Sequence, residues 1–380
     1  MTKTLRLGMV VGEHSGDILG ADLMRALKQR QPNIEFTGVG GPKMLAEGFT
    51  SLYDQERLAV MGLVEPLKRL PELLKMRKGL AQYFIDNPPD AFIGIDSPDF
   101  NLDLELKLRQ RGITTAHYVS PSVWAWRQKR VFKIAKAVDL MLTLFPFEAE
   151  FYRQHQVPVK FVGHPLADQI QPIDDATSLK TQWGLDASKP LLAILPGSRE
   201  AEVRLIGPSF WAAARLCRAQ MPDLQIIVPA ASIGREKQIK EQLQDFDNLP
   251  VTVVAGHSQQ VMAAADAVVM ASGTTTLEAL LLGKPMVVAY KMAWLSHAIL
   301  SRLVKSPYIS LPNLLAKREL VAELIQKAAT PQAIAEQVLP LLSNSEAKHQ
   351  MLAEFKAIRA SLALNASEQA ADALLELIRR

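Results

Sequence analysis

Two short stretches in the second half hold side chains suited to an anion. In "ASGTTTLE" (271–278) an apolar run breaks into small hydroxylated residues. Ser272 or Thr274 can cap a helix there, and the free backbone N–H groups from Ser272 to Thr275 attract negative charge. Gly273 lets a bulky anion approach the backbone. Glu278 lies too far along for a capping box but can reach back to accept from a ribose hydroxyl pair. The plain alternative is a well-capped core helix with a solvated Glu. In "LPGSR" (195–199) a buried run ends in Gly197, Ser198 and Arg199. The guanidinium suits bidentate contact with a diphosphate; the alternative is a surface Arg in an ordinary turn. A third stretch, "SLPNLLA" (310–316), sets Asn313 in an apolar loop, where the amide needs partners from a ligand or from an Asx-turn.

The first half has its own candidates. "VVGEHSGD" (10–17) runs from strand to helix through Ser15 and Asp17. Asp17 can contact a sugar or cap the helix. The stretch is neither a Walker A motif nor a GxGxxG. "IGIDSPDFN" (93–101) ends a buried strand on Asp96. A carboxylate at a strand's carboxyl end is placed for general-base work. Asp99 fits a turn or helix cap better, and nothing nearby completes a metal site. "HYVSPSVWAWRQKRVFKI" (117–134) sets two Trp beside Arg127, Lys129, Arg130 and Lys133. That grouping suits a sugar or phosphate wall, a nucleic acid, a membrane rim, or a basic helix with one Trp in the core.

Between 60 and 80 the chain is both apolar and basic. Leu63, Leu67, Leu70 and Leu74 share one helical face, widened by Val64, Leu73, Met76 and Leu80. Five Lys and Arg residues flank it, against Glu65 and Glu72. Such a face suits an anionic membrane surface, and an amphipathic core helix is the competing reading. Pro66 and Pro71 predict two short pieces or a broken helix.

These residues need a scaffold, and the chain provides a repeating one. Apolar runs at 5–12, 90–96, 191–199, 224–230, 251–256, 267–273 and 285–290 alternate with helical stretches. This pattern predicts α/β folding around parallel sheets covered on both faces. In such sheets ligands bind where strand ends lead into helix starts. The stretch 165–189 turns polar and reads as a linker, and the last fifty residues are helical. Composition is ordinary for globular chains, with 48% hydrophobic and 22% charged residues, so large cores are within reach. The net charge of +4 gives no argument for nucleic acid. The single cysteine, Cys217, excludes an internal disulfide framework. The apolar start reads as a buried strand rather than a signal peptide, and no run of the sequence is long enough to span a bilayer.

With these residues in place, the chain resembles the lipid-A-disaccharide synthase family almost end to end. The carriers are "GEHSGDILGA", "GVGGPKM", "LAVMGLVE", "GIDSPDFN", "HYVSPSVWAWRQKRV", "PFE", "GHPLAD", "LPGSR", "ASGTTTLE" and "SLPNLLA" followed by "RELV". The first loop departs from the family's pattern at His14. The resemblance implies two Rossmann-like domains facing a cleft, the GT-B arrangement, spanning 1–168 and 185–345, with helices of 346–380 crossing back onto the first. It implies an inverting glycosyltransferase without metal or cofactor. The donor would be UDP-2,3-diacylglucosamine, and the acceptor 2,3-diacylglucosamine 1-phosphate.

On that reading Asp96 is the base or the residue that orients the acceptor, and Arg199 steadies the leaving diphosphate. Gly197, Ser198, Ser272–Thr275, Glu278 and Asn313 bind the UDP-sugar, and Ser15, Asp17 and Arg127 bind the acceptor. Leu63, Val64, Leu67, Leu70, Leu73 and Leu74 face the membrane. The expected place is the cytoplasm, peripheral on the inner face of a Gram-negative inner membrane. The family's pattern leaves room for a homodimer that exchanges its C-terminal helices. The rival readings are a UDP-sugar 2-epimerase of the same architecture and a membrane-bound nucleotide-sugar sensor without turnover.

Overall fold

The computed structural model describes residues 4–58, 65–173, 175–246 and 248–380, with backbone alone at 65–68, 295, 296, 299, 300 and 302. Leu63 and Val64 lie outside the described residues, as does the side chain of Leu67. The chain divides into two compact units, one formed by 1–168 with 362–380 and the other by 169–361.

In the first unit the strands are β1 (Leu5–Val11), β2 (Ile34–Val39), β3 (Thr50–Ser51), β4 (Ala91–Ile95), β5 (Thr115–Tyr118), β6 (Leu140–Thr143) and β7 (Val159–Phe161). They pair in parallel in the order β3-β2-β1-β4-β5-β6-β7. The second unit has β8 (Leu191–Leu195), β9 (Gln225–Ala230), β10 (Thr252–Ala255), β11 (Ala267–Met270), β12 (Met286–Tyr290) and β13 (Glu323–Ile325). Their order is β10-β9-β8-β11-β12-β13, again parallel. β4 and β8 are buried along their whole length, as strands covered by helices on both faces must be.

Both orders double back on themselves. In each sheet the first strand pairs with both the second and the fourth of its unit, with Met9 aligned to Ile93 and Ile194 to Val269. Helices leave these neighbouring strands toward opposite faces, so their loops part and open a crevice at the carboxyl ends. β3 and β13 have no counterpart in the apolar pattern. They are edge strands of two and three residues without a fully buried position, too short to leave a period.

The end of the chain belongs to the first unit's core. Ala366–Arg379 packs on His14–Arg30, burying Ala370, Ala371 and Leu374 near Leu23 and Leu27. Asp168 accepts from the N–H groups of Asn365 (2.9 Å) and Ala366 (2.7 Å), and Arg30 pairs with Glu368 and Asp372. The preceding helix, Glu346–Leu362, lies almost wholly in the second unit, so Ala366–Arg379 alone is the returning piece.

The basic-apolar segment differs from its expectation. Glu65–Asp86 is a single helix with Pro71 inside it. Pro66 falls in the first turn, where the missing N–H costs nothing. Pro71 removes one intrahelical bond, and the helix continues because its later turns are anchored by Met76, Leu80 and Phe84 in the core. Leu73 is partly buried and packs against that core, whereas Leu70 and Leu74 are 46% and 45% exposed.

Candidate active site

The crevice of the second unit collects the anion-suited loops. After β8 the chain turns through Gly197 at φ +112°, a conformation that favours glycine, and Arg199 caps the helix Glu200–Gln220. After β11 it passes Ser272 and Gly273 into Thr275–Leu281. Ser272 Oγ donates to Ile309 O (3.0 Å), and Thr276 Oγ1 to Gly273 O (2.8 Å), which fixes the loop. A Cβ at Gly273 would meet nothing, so this backbone faces open space. Both loops line one cleft of about 600 Å³, together with Pro229, Ala230, Gly256 and Ser258. Gly197, Ser198, Arg199 and Ser272–Thr275 are thereby brought together as the sequence predicts. The Arg199 side chain is 81% exposed at the rim.

Glu278 lies one turn behind the loop, half-buried. Burial raises its pKa, and a hydrogen bond from Gln259, next to the cleft residue Ser258, opposes that shift. Asn313 is placed otherwise than expected. It is fully buried, and its amide nitrogen donates to Val321 O (2.9 Å) and Glu323 Oε1 (2.8 Å). Its oxygen accepts from Leu320 N (2.7 Å) and Val321 N (2.8 Å). Four bonds exhaust an amide, so Asn313 has nothing to offer a nucleotide; it clamps the 310–323 loop. Sequence reasoning missed Glu202, which lines the cleft and accepts from the Ser198 and Arg199 N–H groups. It has the spacing of a capping box, three residues after the helix cap, but the cap is Arg199 and not the Ser or Thr that marks the motif in a sequence.

The first unit's crevice lies at the ends of β1 and β4. Asp96 and Ser97 are consecutive non-glycine residues at φ +54° and +43°. Such backbone costs about 1–3 kcal/mol per residue and persists where the surroundings over-determine it. Here Asn101, fully buried, donates to Asp96 O (2.8 Å) and Val10 O (3.2 Å), tying the two strand ends together. Asp96 Oδ1 accepts from Ser97 N (2.8 Å). Glu13, at the helix start after β1, is close enough that burial and then the Asp96 charge raise its pKa. Deeper under β4, Glu105 and His117 form a fully buried pair (2.7 Å), and burial raises the pKa of Glu105.

The expected acceptor residues separate in this unit. Ser15 is exposed in the first turn of His14–Arg30. Asp17 is not free to meet a sugar: it is fully buried and accepts from Gly41 N (3.0 Å), Lys43 N (2.9 Å) and Met44 N (3.0 Å), capping the next short helix. Arg127 is exposed and stacks over Trp126, its guanidinium carbon 4.3 Å from the ring centre. Asp99 is exposed and pairs with Arg130 (2.5 Å), in keeping with its reading as a helix-start residue.

Two Rossmann-type sheets with crevices of this kind define the GT-B class. The same fold is found in the UDP-GlcNAc 2-epimerase from Neisseria meningitidis bound to UDP-GlcNAc (TM-score 0.63, 15% identity, 98% of this chain and 100% of that one). It recurs in Acinetobacter baumannii MurG (TM-score 0.57, 14% identity, 98% and 100%). At such identities the likeness concerns the fold alone. The sequence goes further. A family model described as lipid-A-disaccharide synthetase matches residues 7–376, and the lipid-A-disaccharide synthase of Cellvibrio japonicus is 55% identical over 379 residues, covering 100% of this chain and 99% of its own. The chain belongs to the lipid-A-disaccharide synthetase family and is a glycosyltransferase. The epimerase alternative is not favoured. Among the described residues no helix is long and apolar enough to cross a membrane.

Proposed function

We propose that the chain moves 2,3-diacylglucosamine from its UDP carrier to 2,3-diacylglucosamine 1-phosphate, forming a β-1,6 disaccharide 1-phosphate and UDP. The acceptor's 6-hydroxyl oxygen bonds to the donor's anomeric carbon as the bond from that carbon to the diphosphate breaks, inverting its configuration. Asp96 takes the hydroxyl proton. Arg199 and the backbone of Gly197–Ser198 and Ser272–Thr275 hold the charge that develops on the departing diphosphate. Glu278 accepts from the ribose. Ser15 and Arg127 approach the acceptor, Arg127 as the cation for its phosphate.

The observation that carries this reading is the meeting of the Gly197–Arg199 and Ser272–Thr275 loops on one cleft of about 600 Å³. Leu70 and Leu74 contribute a small apolar patch that touches the membrane, on the inner face of the inner membrane, where acylated sugars are drawn from the bilayer. A homodimer that exchanged Ala366–Arg379 would use the seat on His14–Arg30 that the helix has within one chain.

The test is incubation with both lipid precursors and mass spectrometry of the products. The expected result is the tetraacyl disaccharide phosphate with one UDP per product. Conversion of the donor without the acceptor would instead support epimerisation, and binding without conversion would support a sensor.

A further inference from the structure

The cleft of the second unit contains a carboxylate among its anion-binding groups. Glu202 Oε2 accepts from both Ser198 N and Arg199 N at 3.2 Å. Its Oε1 accepts from Arg199 Nη1 and from Tyr290 OH, each at 3.4 Å. A capping box needs only the N–H of the cap residue. Here one oxygen takes two consecutive loop N–H groups, the arrangement that elsewhere binds phosphate. Gly197 makes this possible, since a Cβ there would press on the Glu202 side chain, 2.8 Å from its Cβ. The side chain is only 13% exposed, so its charge is poorly screened.

Resting on the donor-site reading above, we propose that Glu202 is a built-in rival to the donor's diphosphate: its carboxylate competes for the Ser198 and Arg199 N–H groups and the Arg199 guanidinium, and so speeds release of the nucleotide product. Tyr290 supplies the alternative partner. It already meets the oxygen that the loop N–H groups do not use, so the carboxylate can yield those donors and keep a bond. Burial and the Glu202 charge raise the Tyr290 pKa, which keeps the hydroxyl a donor.

The experiment is calorimetric titration of the full chain and of Glu202→Gln with UDP, pyrophosphate and uridine. UDP and pyrophosphate should bind the Gln variant roughly tenfold more tightly, as expected when a poorly screened like charge is removed beside them. Uridine has no diphosphate and should bind equally. Product inhibition by UDP should strengthen while kcat falls. UDP binding that is equal or weaker in the variant overturns the proposal and makes Glu202 a loop brace only. If that variant does not fold, Tyr290→Phe is decisive: UDP should bind several-fold more weakly, and unchanged binding overturns the proposal. Failure of the unaltered chain to bind UDP overturns the donor-site reading first and this proposal with it.

Discussion

Asp96, the proposed base, sits on a strained backbone at a strand end. Its left-handed backbone is held by Asn101 and its side chain lies beside Glu13. Asparagine tolerates that backbone and preserves the volume, so Asp96→Asn tests the carboxylate alone. Turnover should fall by about 10²–10⁴-fold, the usual worth of a general base, while UDP affinity stays unchanged. A variant of normal activity removes Asp96 from the mechanism. Asp96 was legible because it ends a fully apolar run. Asp17 and Asn313 were not, because their partners are backbone groups that no local motif names: Gly41, Lys43 and Met44 for one, and Leu320 and Val321, seven and eight residues on, for the other. A polar residue in a loop reads the same whether it serves a ligand or the fold.

Among the elements, the strands were the easiest to anticipate. β4 and β8 are buried from end to end and so carry unbroken apolar runs. The helix Glu65–Asp86 was harder, because its core-facing and exposed apolar residues follow one another on one stripe. Its later turns bury Met76, Leu80 and Phe84, whereas Leu70 and Leu74 project one turn apart into solvent. Two prolines and one apolar stripe do not reveal where core gives way to surface. Replacing Leu70 and Leu74 by Ser should lower sedimentation with anionic vesicles at least several-fold, since each half-exposed leucine has about 1 kcal/mol of apolar burial left to gain. The melting temperature should stay within about 2 °C, because exposed positions contribute little to folding. A large fall in melting temperature with unchanged vesicle binding would assign both leucines to the core.

At the scale of the whole molecule, the first unit is discontinuous in sequence. Its last helix brings Ala370, Ala371 and Leu374 into the same core as Leu23 and Leu27. The helical character of this stretch was legible from its Ala and Leu content, but its seat was not, since no local pattern names a partner more than three hundred residues earlier. Removing 366–380 deletes buried surface worth several kcal/mol, a large share of a domain's 5–15 kcal/mol. The first unit should then unfold or aggregate while the second keeps its own transition by calorimetry. Two intact transitions would show that the helix is dispensable.

The discontinuity also sets an order of events during synthesis. Domains that are contiguous in sequence can fold as they leave the ribosome, usually from the N-terminus onward. Here the half made first is the half completed last. Residues 169–361 are all synthesised before Ala366–Arg379, whereas 1–168 wait for that helix to be released. Until then the face of His14–Arg30 that receives Ala370 and Leu374 stays uncovered, and the time it spends so is set by translation of everything in between.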